Sequence, residues 1–207
     1  MCRHITRYDP HRLNISPWKP PPLMPTLSQT LRRLLLGLLP LLCTAHTWAA
    51  APARTVIDCE LAGPSQRLAL LRSAAFVDSF IYRLRHGPQT WLLYNSEDDS
   101  LGMNVQWQCV ATGANSHLLL LSGEFTANYL QGAAFYWDPQ GSQVQRIDFA
   151  ERNRPGWVQM TAQGPRVIFT NVGHESSHRY LVYGPRDAYE ELDQLPAGLI
   201  KLHAKTD

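Results

Sequence analysis

Residues 173–184 read GHESSHRYLVYG, and within them His174, Glu175 and His178 reproduce the H-E-x-x-H pattern of zinc hydrolases. On a helix, positions i and i+4 have β-carbons about 5–6 Å apart. Two imidazoles at that spacing can grip one zinc ion while the glutamate polarises its water. On a strand the same two positions stand about 13 Å apart, and one ion cannot bridge them. The chemistry therefore depends on the backbone. The flanks RVIFTN and RYLVY are β-branched and aromatic, and Gly173 breaks a helix at its start. The longer three-histidine form of the motif needs glycine and histidine where Leu181 and Gly184 stand. The expectation is a polar turn between two strands, with no catalytic or metal-binding residue assigned. A cell-envelope hydrolase, with or without zinc at His174, Glu175 and His178, is the alternative.

Other reactive groupings are sparser. The acidic stretch NSEDDS, residues 95–100, lacks the spaced oxygen ligands and central glycine of an EF-hand loop and reads as a solvated hairpin end. There is no G-x-S-x-G elbow and no glycine-rich phosphate loop, and Ser116 or Ser122 would meet a histidine only through tertiary structure. No cofactor signature is present. Trp91, Trp107, Trp137 and Trp157 all fall on expected strands. Most should be core, and any ring left at the surface would mark a recognition patch.

The elements that must position these groups are short and β-like. Arg54–Cys59 alternates as a first strand, whereas SQRLALLRSAA, residues 65–75, fits helix or strand. A hairpin is expected over 76–95, with Phe76, Phe80, Tyr82 and Leu84 on one face and RHGPQ as its turn. In MNVQWQCV, Val105, Trp107 and Cys109 share one face and Asn104, Gln106 and Gln108 the other. HLLLLSGEF follows as a strand, and the pairs GAAFYW/QVQRIDF and GWVQMTA/PRVIFTN read as two further hairpins before HRYLVYG. In AAFYWD, Tyr136 points opposite to Phe135 and Trp137. A turn after every roughly 10 residues predicts a mainly β, antiparallel meander, sandwich or barrel-like single domain. No motif recurs at a fixed period, which argues against propeller blades. At the C-terminus, Asp187 followed by Glu190 resembles a capping box and Pro196 a stop, so PRDAYEELDQLP is expected to form one short helix.

The address of the chain lies upstream of this domain. From Met24, the pair Arg32 and Arg33 precedes an apolar run from Leu34 to Ala45 and then small residues, the three-part order of a secretory signal peptide. The run is 12 residues long, short of the about 20 that span a bilayer. Residues 24–50 are therefore read as signal peptide, with cleavage near Ala49 to Ala53. Residues 1–23 are read as a non-native or unstructured leader ahead of a true start at Met24, and 51–207 as the single β-rich domain. The first 50 residues carry six Lys or Arg against Asp9, a net +5, so the whole-chain +2 becomes −3 in the mature part. No basic stripe remains for a phosphate backbone, which excludes nucleic acid as a partner. The mature part keeps Cys59 and Cys109, expected to form a disulfide in a periplasmic or secreted setting. The functional expectation is an exported, non-enzymatic binding protein of the inhibitor or immunity type, or an envelope-associated one. Its partner would be another protein or an envelope component.

Overall fold

The computed structural model describes residues 52–126, 128–174 and 176–203, and the leader and signal-like segments lie outside them. Thirteen strands make two antiparallel sheets, and the described residues contain no helix. The fold class expected from the turn spacing is the one observed.

The first sheet runs in the order β1 (Arg54–Glu60), β2 (Arg67–Phe76), β3 (Ser79–His86), β5 (Leu101–Gly113), β6 (Ser116–Glu124), β7 (Leu130–Asp138) and β8 (Gln143–Glu151), with β4 (Gln89–Leu92) paired to β3 off this path. The ambiguous segment after Ser65 is the long strand β2. Its residues tolerate either form, but Leu68 and Leu70 are fully buried against cross-strand neighbours, so tertiary burial overrides helix propensity. Phe76 closes β2 instead of opening β3, because the chain turns at Val77 and Asp78, the latter at φ 59°. The expected side-sharing of Phe80, Tyr82 and Leu84 holds within β3.

The sheet curls back on itself. Just beyond β1, Ala62 bridges to Ser116, His117 N–H donates to Leu61 O (3.1 Å) and Gly63 N–H donates to Asn115 O (3.2 Å). Strands β1, β2, β3, β5 and β6 thus come round into a ring. Its interior holds Cys59, Leu68, Leu70, Tyr82, Leu84, Leu119 and Leu121. Cys59 and Cys109 reach across this interior from β1 and β5, strands that are not neighbours in the sheet, and form the disulfide (Cα–Cα 5.5 Å).

The second sheet has the order β12 (Ala188–Leu192), β11 (Tyr180–Gly184), β10 (Gly164–Thr170), β9 (Trp157–Thr161) and β13 (Leu199–Lys201). It packs on the outer face of β5–β8, where Val110, Leu118, Leu120, Ile147 and Phe149 meet Val158, Val167, Phe169 and Leu181. The unbroken run Leu118–Leu121 follows from this sandwiching, since β6 is covered on both faces and needs no polar alternation. Tyr136 packs toward the second sheet while Phe135 and Trp137 pack inside the first, as alternation requires.

The expected C-terminal helix is not formed: Ala188–Leu192 is the edge strand β12. Arg186 and Asp187 both have positive φ (58° and 57°), and Ala188 N–H donates back to Pro185 O (3.3 Å), a mirror-image hairpin turn. Asp187 therefore serves as a turn residue, not a cap. Glu190 and Glu191 face opposite sides of a charged strand edge, a composition that also discourages edge-to-edge pairing.

Candidate functional site

The loop between β10 and β11 holds the H-E-x-x-H residues. Asn171 organises it: its side-chain amide donates to Ser176 O (2.9 Å) and His178 O (2.8 Å), and its Oδ1 accepts from Gly173 N–H (3.0 Å). His174 is exposed in this loop, His178 is partly covered, and Glu175 lies outside the described residues. No helical turn joins the two histidines, so the i, i+4 geometry needed for a shared zinc ion is not present. His178 instead faces two carboxylates from opposite sides of its ring, Asp193 at Nδ1 (3.1 Å) and Glu191 at Nε2 (3.8 Å). Lone pairs that diverge in this way do not converge on one ion, and among the described residues no group of three His, Cys, Asp or Glu side chains is arranged to hold a metal.

Nor is this cluster a nucleophile with its base. Ser176 Oγ donates to Glu191 Oε2 (2.7 Å), placing a carboxylate where a catalytic serine would need the imidazole. Tyr189 Oη donates to the other Glu191 oxygen (3.0 Å). The Ser176 and Tyr189 hydrogen bonds hold the Glu191 carboxyl below its usual range, assisted by His178. Burial first, and then the Glu191 hydrogen bond, pushes Tyr189 up to about 12. The arrangement fastens the loop to β12. NSEDDS is likewise structural: Glu97 pairs with Arg83 (2.5 Å), and the buried Ser100 hydroxyl accepts from Tyr94 N–H (2.9 Å).

An open cleft of about 860 Å3 lies elsewhere, at the ends of β5 and β7. Its position depends on a bulge in β5. Met103 pairs with Glu124 but Gln106 with Ser122, so one extra residue is accommodated at Asn104–Val105, with Asn104 at φ 49°. Leu101 and Met103 consequently point outward, whereas Val105 and Trp107 point into the ring. The bulge is clamped by Arg154, which donates to Asn104 O (2.6 Å), Ser122 O (2.6 Å) and Ser122 Oγ (3.0 Å). Burial lowers the Arg154 pKa, and nearby Glu124 opposes that shift.

Phe125 forms the cleft floor. Its ring covers Gly102 and meets Tyr82 and Tyr94 edge-on at centroid distances of 5.7 and 5.1 Å. A methyl group at Gly102 would come within 2.5 Å of a Phe125 ring carbon, so this strand position accepts only glycine without displacing the floor. The walls add Leu101, Leu130, Met103 (46% exposed) and Tyr129 (40% exposed), with the Arg152 guanidinium over the Tyr129 ring at 5.6 Å. Ser79 also lines the cleft, and its cross-strand partner Phe76 (78% exposed) and neighbour Val77 (88%) stand at the adjoining turn. The result is a mixed surface in which Leu101, Met103, Phe125, Tyr129 and Leu130 alternate with polar groups, Glu124 and Arg152 among them.

Of the tryptophans, Trp107 and Trp137 pack against the interior of the first sheet, while Trp91 is left 40% exposed on β4. The cleft residues carried no recognisable motif in the sequence, because Met103 reads as a continuation of the inward set until the bulge is known. The chain matches no protein-family model, and no significant match is found among curated proteins or solved structures.

Proposed function

We propose that the chain is exported and acts as a non-enzymatic binding protein, recognising another protein or an envelope component of the same compartment through the cleft floored by Phe125. The observation that carries this reading is the exposure of Met103 and Tyr129 in the cleft, with Phe76 and Val77 also exposed at the turn next to Ser79. Large apolar side chains clustered at a rigid sheet end, with charged groups at the margin, are the composition of a recognition surface. The floor is held by buried rings and the wall by the Arg154 clamp, so little ordering is needed on binding. The disulfide supports an oxidising compartment, as does the signal-like order of residues 24–50.

The test is affinity capture from periplasmic extract with the wild-type protein and with a Met103→Asp, Tyr129→Asp variant whose folding is verified by its thermal transition. A partner held by the wild type and lost by the variant supports the reading; equal retention by both refutes the cleft as its site. Fractionation of the full-length chain expressed in a bacterial host tests export. A cytosolic product that retains residues 24–50 refutes that part.

A further inference from the structure

An arginine on β2, Arg72, faces the interior of the strand ring. Arg72 shares its face of β2 with the buried Leu68 and Leu70 and pairs across the strands with the buried Tyr82. Its guanidinium lies over the Phe80 ring (4.2 Å to the centroid) and near Trp107 (5.5 Å). Stacking of this kind covers the faces of the cation and leaves its N–H edges for hydrogen bonds. Burial raises the Tyr82 pKa, and nearby Arg72 partly restores it. Arg72 Nε is buried and has no hydrogen-bond partner within the protein. A buried donor on a permanent cation is costly to leave unpaired.

The same residues line a separate cavity of about 400 Å3, within the size range of small-molecule sites. Phe80, Tyr82 and Trp107 give it aromatic walls, and Asn104 and Gln106 of the bulge add polar groups. None of its lining residues is acidic.

We infer that this cavity binds a small monocarboxylate with an apolar, planar body. With Nε sealed inside the protein, the two terminal Nη groups of Arg72 form the fork that two carboxylate oxygens match, and the three rings receive the remainder of the ligand. A single guanidinium among aromatic walls favours a carboxylate over the more highly charged and more strongly hydrated phosphate. The inference does not depend on the cleft, with which the cavity shares no lining residue.

Calorimetric titration of the full-length chain with benzoate, benzamide and inorganic phosphate tests it, alongside Arg72→Met and Arg72→Lys variants. The expected result is saturable benzoate binding, at least tenfold weaker for benzamide and for phosphate. Arg72→Met should weaken benzoate at least tenfold, and Arg72→Lys, which retains charge without the fork, should fall between. No benzoate binding, equal binding by phosphate, or undiminished binding in Arg72→Met would overturn the inference. Should Arg72→Met fail to fold, the wild-type Arg72 guanidinium resonances serve in its place: a shift on adding benzoate supports the site, and unmoved resonances overturn it.

Discussion

Reducing the Cys59–Cys109 disulfide isolates one covalent constraint without changing any side chain in the core. The cysteines lie 50 positions apart, and a cross-link closing a loop of that length removes about 4 kcal/mol of unfolded-state entropy. For a folded unit of roughly 150 residues, where 1 kcal/mol corresponds to about 2–4 °C, this becomes a fall in Tm of about 8–16 °C. The cause is separable from its size. If the bond acts on the unfolded chain, the reduced protein unfolds to a more expanded ensemble and its denaturant m-value rises. If it acted only by straining or bracing the folded state, Tm would move while m stayed fixed. The assay is paired guanidinium and thermal unfolding of oxidised and reduced protein, with thiols counted in the unfolded, unreduced sample. Free thiols at both Cys59 and Cys109 in that sample, or a Tm change below about 2 °C on reduction, would refute the reasoning.

The remaining expectations concern the cleft and the β12 edge. Phe125→Ala removes the floor and should cost about 3–5 kcal/mol in denaturant unfolding, whereas Gly102→Ala should cost about 1–3 kcal/mol by forcing the ring aside. Arg154→Met leaves the Asn104 and Ser122 acceptors without their charged donor and should destabilise by about 2–3 kcal/mol, with faster amide exchange at residues 103–106 as its local signature. Glu191 has a folded-state pKa below its ordinary 4.5, so its contribution is present above that pH and is lost as pH falls through the lower folded value. Glu191→Gln should flatten this part of the acid limb in pH-dependent unfolding. Tyr189 is shifted oppositely, from 10 to about 12, so its contribution is intact below pH 10 and disappears as pH rises toward 12. Tyr189→Phe should remove that alkaline loss.

Alternation and turn residues made most strands legible before any coordinates. The pairs GAAFYW/QVQRIDF and GWVQMTA/PRVIFTN form the β7–β8 and β9–β10 hairpins they spell, and the Val105, Trp107, Cys109 face places one half of the disulfide inside. What failed did so where local preference and tertiary context disagree. Asp187 and Glu190 have the spacing of a helix cap, yet Tyr189 gains an edge-on contact with Tyr183 (5.3 Å) and Glu190 an ion pair with Arg166 only if the segment extends along β11. Arg72 was within reach of sequence reasoning. Once SQRLALLRSAA is read as strand, an arginine falls in step with Leu68 and Leu70 on the apolar face, a conflict that usually marks strain or a site. The cleft was not within reach, because a bulge has no compositional signature in MNVQWQCV beyond an asparagine that tolerates positive φ.

That one extra residue links the two candidate sites. In an uninterrupted β5, Leu101, Met103, Val105 and Trp107 would all lie on one face, and every one of them would compete for the ring interior. The shift between Met103 and Gln106 divides the set: the first two turn outward to the cleft and the latter two turn inward, where Trp107 meets the Arg72 guanidinium. Asn104 sits at the division, its carbonyl held by Arg154 and its amide donating to Glu124 (3.0 Å) on the cleft side. Asn104 also lines the Arg72 cavity, so occupation of either surface bears on the same short stretch of backbone. A rigid clamp there would keep the two surfaces independent, and the three Arg154 hydrogen bonds supply such a clamp.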